Sequence, residues 1–556
     1  MSYRYAKHVS TRKMRQSQPI PGKPMVPNSA GGYAFAVDDW ARLERFLILG
    51  NEGGTYYAGE RELTVKNAHC VAACLAEDAA RAVRAIVEVS DKGRAPKNDP
   101  AIFALALAAG TGYAAEAMWA LPKVCRTGTH LFAFTEAVRH FRGWGKTLAR
   151  GVAAWYDGRE AGDLAYQVAK YPQRNGWSHR DLLRLAHPRP ADAAHQAVYR
   201  WVVGGPDAMG AREVKRGETV TGYPDVSVGL PPILAAATAA KAAGSAAEVV
   251  ALVRAHGLPR ECVPTQFLNA PEVWEALLDT MPMTALVRNL AKMTAVGLLK
   301  PASAAAEVVA DRLGDGEHVR KSRLHPMALL LAQKTYAAGR GLKGSIRWVP
   351  VSKVVDALDA AFYRAFSNVE PAGKRTLLAL DVSGSMACGS IAGTSLTPRE
   401  ASAAMAMVTV RTEPDYQVVA FTAGPGGCGG KWGGGTSGLT HVDLTAGSRL
   451  ADIVKTTDAL PMGGTDCALP MVHALNNQWE VDTFIIYTDN ETWAGSIHPV
   501  QTLRAYREKT GIPARLIVVG LTATGFSIAD PSDAGMLDVV GFDASAPAVM
   551  ADFSRG

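Results

Sequence analysis

Asp381, Ser383 and Ser385 stand at alternate positions of one short segment, Asp-Val-Ser-Gly-Ser. Along extended backbone, residues i, i+2 and i+4 point to one side, so one carboxylate and two hydroxyls converge there. Gly384 between them lets the backbone turn around an ion. Downstream, Gly463-Gly464-Thr465-Asp466 offers another hydroxyl at a helix start, and Asp489 in Thr-Asp-Asn-Glu offers a second carboxylate, reaching an ion through water. Hard oxygen donors in this number suit Mg²⁺ or a similar divalent cation, which keeps some of its waters. The predicted metal ligands are therefore Asp381, Ser383, Ser385, Thr465 and Asp489.

The same residues argue against chemistry at the ion. A phosphatase of the haloacid-dehalogenase type needs a second Asp two residues after the first, and here that position is Ser383. No GxxxxGK[ST] phosphate loop occurs in this region. His473 and His498 are general-base candidates by sequence proximity alone. The glycine-rich stretch 424–438 leads into no clear helix and reads as a surface loop.

A second constellation is cationic. Lys170, Arg174, Arg180, Arg184, His187 and Arg189 crowd into twenty residues. A helix starting near Ser178 puts Arg180, Arg184 and His187 on one face, with Lys170 and Arg174 on its approach. Arg142, Lys146 and Arg150 form another stripe at i, i+4 and i+8. Such stripes meet phosphates as point charges or forks, although a solvated helix face has the same appearance and His187 before Pro188 also suits a helix end. Tyr171 and Trp177 are candidates either for stacking on unpaired bases or for packing between helices.

Two kinds of architecture must position these residues. From Asp38 to about Phe366 the pattern is helical, with apolar residues three and four apart. Examples are Asp39–Leu49, Val65–Val89, Ile102–Ala120, Trp144–Tyr156, Asp181–Ala186 and Met283–Leu298. Helix pairs with short links and no strands suggest a repeat solenoid. After Pro371 apolar, β-branched runs alternate with helical stretches. Thr376–Leu380, Gln417–Phe421, Thr483–Tyr487 and Arg515–Val519 read as strands, and Pro398–Thr412, Ser448–Leu460 and Ala468–Asn476 as helices. That alternation implies a parallel sheet covered on both faces, with ligands at the carboxyl ends of its strands.

Charge divides the chain at the same place. Of 59 Lys and Arg and 52 Asp and Glu, residues 371–556 hold 12 and 18, leaving 47 and 34 for residues 1–370. The basic part looks for a polyanion. Residues 1–30 read as a basic, flexible arm without the apolar core of a signal peptide. No apolar run is long enough for a membrane span. The seven cysteines, without a CxxC, read as free thiols of a cytoplasmic protein rather than as staples or zinc ligands.

The strand-terminal DVSGS, GGTD and TDNE in this order resemble the von Willebrand factor A domain and its metal-ion-dependent adhesion site, where a partner's acidic oxygen completes the shell. Over the whole chain the sequence resembles the Ro autoantigen family, in which a TROVE domain precedes a von Willebrand A domain. The segments that carry it are GGTYY (53–57), GTHLF (128–132), YPQRNGWSHRDLLRLAHPRP (171–190), MPMTALVRNLAKMT (281–294), RLHP (323–326), VEPAGKRTLLALDVSGSM (369–386), PMGGTDCALPM (461–471), TDNETWAGSIHP (488–499) and GFSIADPSDAGMLD (525–538). Residues 204–244 match little.

The resemblance, to a bacterial member, implies an α plus α/β architecture. A ring of HEAT-like helical repeats (TROVE, residues 31–370) is closed by a Rossmann-like von Willebrand A domain (residues 371–556) that meets its first helices. It implies a monomeric, noncatalytic RNA-binding scaffold. Small noncoding Y RNA would bind the outer surface, with Lys170, Arg174 and His187 on positions resembling the family's contacts. Single-stranded ends of misfolded or precursor RNAs would enter a central hole, and an exoribonuclease such as polynucleotide phosphorylase would be a partner. The alternative class is a metal-dependent protein–protein adhesion module with incidental basic charge. A third, a metal-dependent hydrolase, is disfavoured by the hydroxyl-rich shell.

Overall fold

The computed structural model describes residues 13–50, 60–216, 219–341, 345–366, 369–391, 394–423, 438–460 and 462–556. The GGTYY segment, most of the glycine-rich stretch and Pro461 lie outside the described residues.

Helices follow one another from Asp39 to Arg364. Many starts are capped by the chain itself: Asp38 accepts from the Ala41 amide at 2.7 Å, and Thr127, Asp192, Ser245 and Ser303 play the same part for later helices. Each cap satisfies an amide that the helix cannot. Two expected helices are interrupted. Residues 102–120 split into Asp99–Gly110 and Ala114–Val124, because Gly112 takes φ +108°, a conformation that ends a helix. Glu60–Asp91 kinks at Asp78, whose side chain accepts from the Arg81 amide and so starts a second helix in mid-run.

The expectation of no strands in this region fails twice. Gln173–Arg174 pairs with Trp177–Ser178, and Arg212–Arg216 pairs with Thr219–Tyr223. The first hairpin turns on Asn175 and Gly176, both at positive φ, the Asn-Gly signal of a tight two-residue turn.

The helical array closes on itself. Arg323, just before helix Pro326–Ala337, bonds Asp91 at 3.1 Å, and the His325 ring meets the Arg94 carbonyl at 3.0 Å. The α/β domain bridges the two ends. On one side buried Arg45 reaches the carbonyls of Thr524 and Phe526 and the carboxylate of Asp538, and Arg94 grips Asp543 and Glu44. On the other, Lys334 pairs with Glu400 and Arg449 with Asp356, while Arg411 lies over the Tyr363 ring at 3.5 Å. This meeting with the first helices is the one the resemblance implied.

The α/β domain is built on a six-stranded sheet. Its order is Met536–Val540, Arg515–Gly520, Thr483–Thr488, Thr376–Asp381, Tyr416–Phe421, Leu439–His441. The first five are parallel and the last, a short edge strand, is antiparallel. The chain runs outward from Thr376–Asp381 to one edge, then returns to lay Thr483–Thr488 on its other side. That reversal between the two central strands is the topological switch point, where such sheets open a crevice for ligands.

Residues 13–30 contradict the flexible arm. Met25–Pro27 pairs with Tyr33–Ala36, which in turn pairs with Phe526–Ser527 of the α/β domain. Gln16 is fully buried and Asn28 nearly so. Lys13 and Arg15 stand outward and Lys23 pairs with Asp530, while Gln16, Ile20, Asn28 and Phe35 fill polar and apolar sockets below; residues 1–12 of the expected arm lie outside the described residues. Charge density at the surface hid the anchors between.

Candidate metal centre and cationic surfaces

Asp381 and Asp489 end the two strands that flank the switch point. The parallel register sets Tyr487 beside Leu380, so Thr488 stands beside Asp381 and donates its hydroxyl to the carboxylate at 2.7 Å. The other carboxylate oxygen of Asp381 accepts the Ser383 amide at 2.9 Å. Ser383 and Ser385 hold their hydroxyls 3.2 Å apart on the following turn. Thr465 comes from the Gly463–Asp466 loop, which is tied to its neighbours by Thr422 Oγ1 donating to the Gly464 carbonyl at 2.9 Å. The structure thus brings the predicted ligands to the same end of the sheet, and Asp381, Ser383, Ser385, Thr465 and Asp489 are all buried.

Two atoms of this set have no partner. Thr465 Oγ1 and Asp489 Oδ2 are buried without a hydrogen bond. A buried polar atom left unpaired costs about 1–3 kcal/mol, and more if charged. Burial, and next the nearby Asp381 carboxylate, push Asp489 up to about 8; burial also raises Asp381. Two buried carboxylates cannot both ionise cheaply without a cation between them. Unpaired oxygens, paired carboxyls and hydroxyls fit a small divalent ion in an oxygen shell. No group of three His, Cys, Asp or Glu side chains stands together among the described residues, which rules out a thiolate–imidazole cage there. Neither histidine is placed as a base: His498 meets the Gln18 carbonyl, and His473 packs on Trp479 and His441.

The cationic segment is presented by local structure. Ser178 and Asp181 form a reciprocal capping box for helix His179–Ala186, fixing the helix start where the sequence placed it. Arg180 and Arg184 are exposed on it, and exposed His187 ends it in the left-handed conformation. Arg174 is exposed on the hairpin just before. Lys170, half-buried, donates to Tyr166 Oη at 3.1 Å and lies over the Tyr166 and Tyr171 rings. Below them His179 is buried against Tyr156, Phe132 and Trp155, and burial holds it down at about 4. Trp177 donates to Glu136 at 2.9 Å, so it is fixed between elements rather than offered for stacking.

The second stripe is shorter than expected. Lys146 and Arg150 are exposed on helix Lys146–Asp157, but Arg142 lies ahead of that helix and donates to the Ala109 carbonyl at 3.1 Å. The glycines at 143 and 145 break the continuity that a three-residue stripe requires.

A third cationic place was not named from sequence. Where the early and late helices meet they enclose a cavity of about 550 Å³, lined by Lys97, Arg126, His130, Arg288, Arg323 and His325 among others. Arg126 is held by Ser90 Oγ and the Lys123 carbonyl, both at 2.9 Å. Burial and then like charge from Arg323 lower Arg126, and burial and then Arg126 push His130 down to about 4. Cations that depress one another mark a field that favours an anion. These residues lie up to 228 positions apart, Lys97 to His325, so no spacing announces them.

With this geometry in hand, similarity to known proteins is informative. Residues 26–211 and 254–336 match the TROVE domain, and residues 375–554 match the Ro60 vWA domain. The unmatched gap includes the hairpin Arg212–Tyr223. The chain is 43% identical over 537 residues to "RNA-binding protein RO60" of Deinococcus radiodurans, covering 96% of this chain and 95% of that protein. It is 37% identical over 598 residues to the protein of the same name in Caenorhabditis elegans, covering 96% and 90%. The crystal structure of the Deinococcus radiodurans RO (RSR) protein superimposes with a TM-score of 0.67 at 42% identity, over 93% of this chain and all of that one.

Proposed function

The chain belongs to the Ro60 family, pairing a TROVE domain with a Ro60-type von Willebrand A domain, and from that premise we propose a noncatalytic RNA-binding scaffold with two RNA surfaces and a separate metal site. The observation that carries the reading is the distribution of unpaired cations over helices whose relatives are named RNA-binding proteins. Among the described residues Arg174, Arg180, Arg184, Lys146 and Arg150 take no carboxylate partner, which leaves them to phosphates. The outer face around Lys170, Arg174, Arg180, Arg184 and His187 receives a small noncoding Y RNA, whose double-stranded parts offer shape and phosphate rather than readable bases.

The cavity lined by Arg126, Arg288 and Arg323 receives a single-stranded end of a misfolded or precursor RNA, which an exoribonuclease then meets. A single strand is the form proposed, because its phosphates and unstacked bases can splay into a cavity of about 550 Å³ that a rigid A-form helix would have to enter whole. At the sheet, Asp381, Ser383, Ser385, Thr465 and Asp489 hold Mg²⁺, which when bound supplies an electrophilic site for a partner's acidic oxygen. The chain's own part there is positioning. Thr488 and the Ser383 amide orient Asp381.

The test is to purify the protein under mild salt and ask, by absorbance ratio and sequencing, whether it carries a discrete small RNA. A scaffold of this kind retains one; an adhesion module with incidental charge comes away free of nucleic acid or with random fragments.

A further inference from the structure

Gln16 sits nearly five hundred residues before the loops it touches. Its Nε2 donates to Asp466 Oδ1 at 2.8 Å and to the Ile497 carbonyl at 2.9 Å. Its Oε1 accepts the Thr492 hydroxyl and the Gly495 amide, the latter at 3.2 Å. Its own amide donates to the Gly495 carbonyl at 3.0 Å, and its carbonyl accepts from Tyr33 at 2.8 Å. Asp466 follows Thr465 directly, and Thr492 follows Asp489 by three residues. One buried amide therefore joins the two loops that carry Thr465 and Asp489, the two positions with unpaired oxygens.

The contact is built closely from both sides. A Cβ on Gly495 would stand 2.3 Å from Gln16 Nε2 and 2.4 Å from Asp466 Oδ1, and one on Gly32 would stand 1.9 Å from the Thr492 carbonyl. Glycine at 32 is required for the backbones to approach, and glycine at 495 leaves room for the Gln16 and Asp466 side chains to meet. Asn28 donates to the Thr492 carbonyl at 2.7 Å, and the Ala30 amide donates to Glu491 at 3.1 Å. Lys23 fastens the segment elsewhere, on Asp530.

We propose that residues 14–33 form a strap whose Gln16 is a positioning residue for the metal site, setting the distance between Thr465 and Asp489. This rests on the reading of that site as a divalent-cation centre. Groups that orient metal ligands from behind typically govern affinity by 10–100-fold. Gln16 touches the ligand-bearing loops and not the ligand oxygens, so its effect passes through Asp466 and Thr492.

The experiment titrates metal-free full-length protein with Mn²⁺, following free Mn²⁺ by electron paramagnetic resonance, with thermal unfolding in chelator recorded alongside. Gln16→Ala is expected to weaken Mn²⁺ binding at least tenfold, and Gln16→Glu, which sets a second carboxylate against Asp466, more. Gln16→Glu/Asp466→Asn restores a donor opposite an acceptor at that one contact, leaving the Ile497 carbonyl and the Ala468 amide unmatched, and should recover part of the affinity lost in Gln16→Glu. Lys23→Ala should leave affinity within twofold, although it loosens the same segment. Should Gln16→Ala not fold, the comparison of Gln16→Glu with the double variant decides. Wild-type affinity in both single variants, or no recovery in the double variant, would overturn the strap's role. A wild-type protein that takes up no Mn²⁺ would overturn the metal reading and the strap with it.

Discussion

The candidate metal site and the cationic surfaces differ in how each is made. The first gathers two carboxylates and three hydroxyls into a buried space, held by backbone amides and by the register of two neighbouring strands. The second leaves Arg180, Arg184, Lys146 and Arg150 exposed on helix faces and Arg174 exposed on a hairpin, without a carboxylate partner among the described residues. A desolvated site must be preorganised, since each unpaired oxygen is costly. A phosphate surface gains from many weak contacts and counterion release, and tolerates approximate placement. One is specified atom by atom, the other by density of charge.

If that division holds, acid acts strongly on the helical region. His130, His179 and His325 all lie in the helical region, buried and each pushed down to about 4, burial being the main cause. The unfolded chain binds their protons near the ordinary 6.5, so their contribution to stability is intact above that value and is lost as pH falls from about 6.5 through 4. Each accounts for at most about 3 kcal/mol at the low end of the window. Urea unfolding at pH 7 and pH 5 should show a loss of several kcal/mol, reduced by a neutral replacement such as His179→Gln that itself folds. A flat profile would mean that these histidines are solvated.

Asp381→Ala should abolish Mg²⁺ or Mn²⁺ binding, a loss of a hundredfold or more, while RNA affinity stays within about twofold. Metal titration and RNA binding on one preparation check this. A folded variant that loses both in proportion would merge the two regions. A smaller effect concerns salt. Lys170→Ala/Arg174→Ala should flatten the log–log dependence of small-RNA affinity on salt by about one to two units. An unchanged slope removes both from the footprint.

The same contrast explains what was legible in the sequence. The candidate metal ligands were readable because they follow directly on two adjacent strand ends or stand in a short loop motif at the same end of the sheet, so short motifs and the switch-point rule suffice to gather them. The helix from Ser178 was readable because its capping box is local. The strap was not. Its basic residues dominated the composition, and Gln16 meets partners that only the finished sheet assembles. Arg142 was misplaced because periodicity was extended across Gly143 and Gly145. Arg126 and Arg323 share a cavity through closure of the whole array, a relation with no local signal. The hairpin Gln173–Ser178 did have one, Asn175-Gly176, inside a segment read only for its charge.

The central claim is that phosphate is met at two separate places, an outer face and an inner cavity. A competition assay with one stem bearing a blunt end, a short 3′ tail or a long 3′ tail tests it most directly. The proteins are the wild type, Lys170→Ala/Arg174→Ala and Arg126→Ala/Arg323→Ala. Affinity of the wild type should rise with tail length and then level off as the cavity fills. The outer-face variant should keep that tail dependence while losing affinity for the small noncoding RNA, and the cavity variant should do the reverse. Equal affinity for blunt and tailed stems in the wild type, or parallel losses in both variants, would contradict the account and leave a single cationic surface.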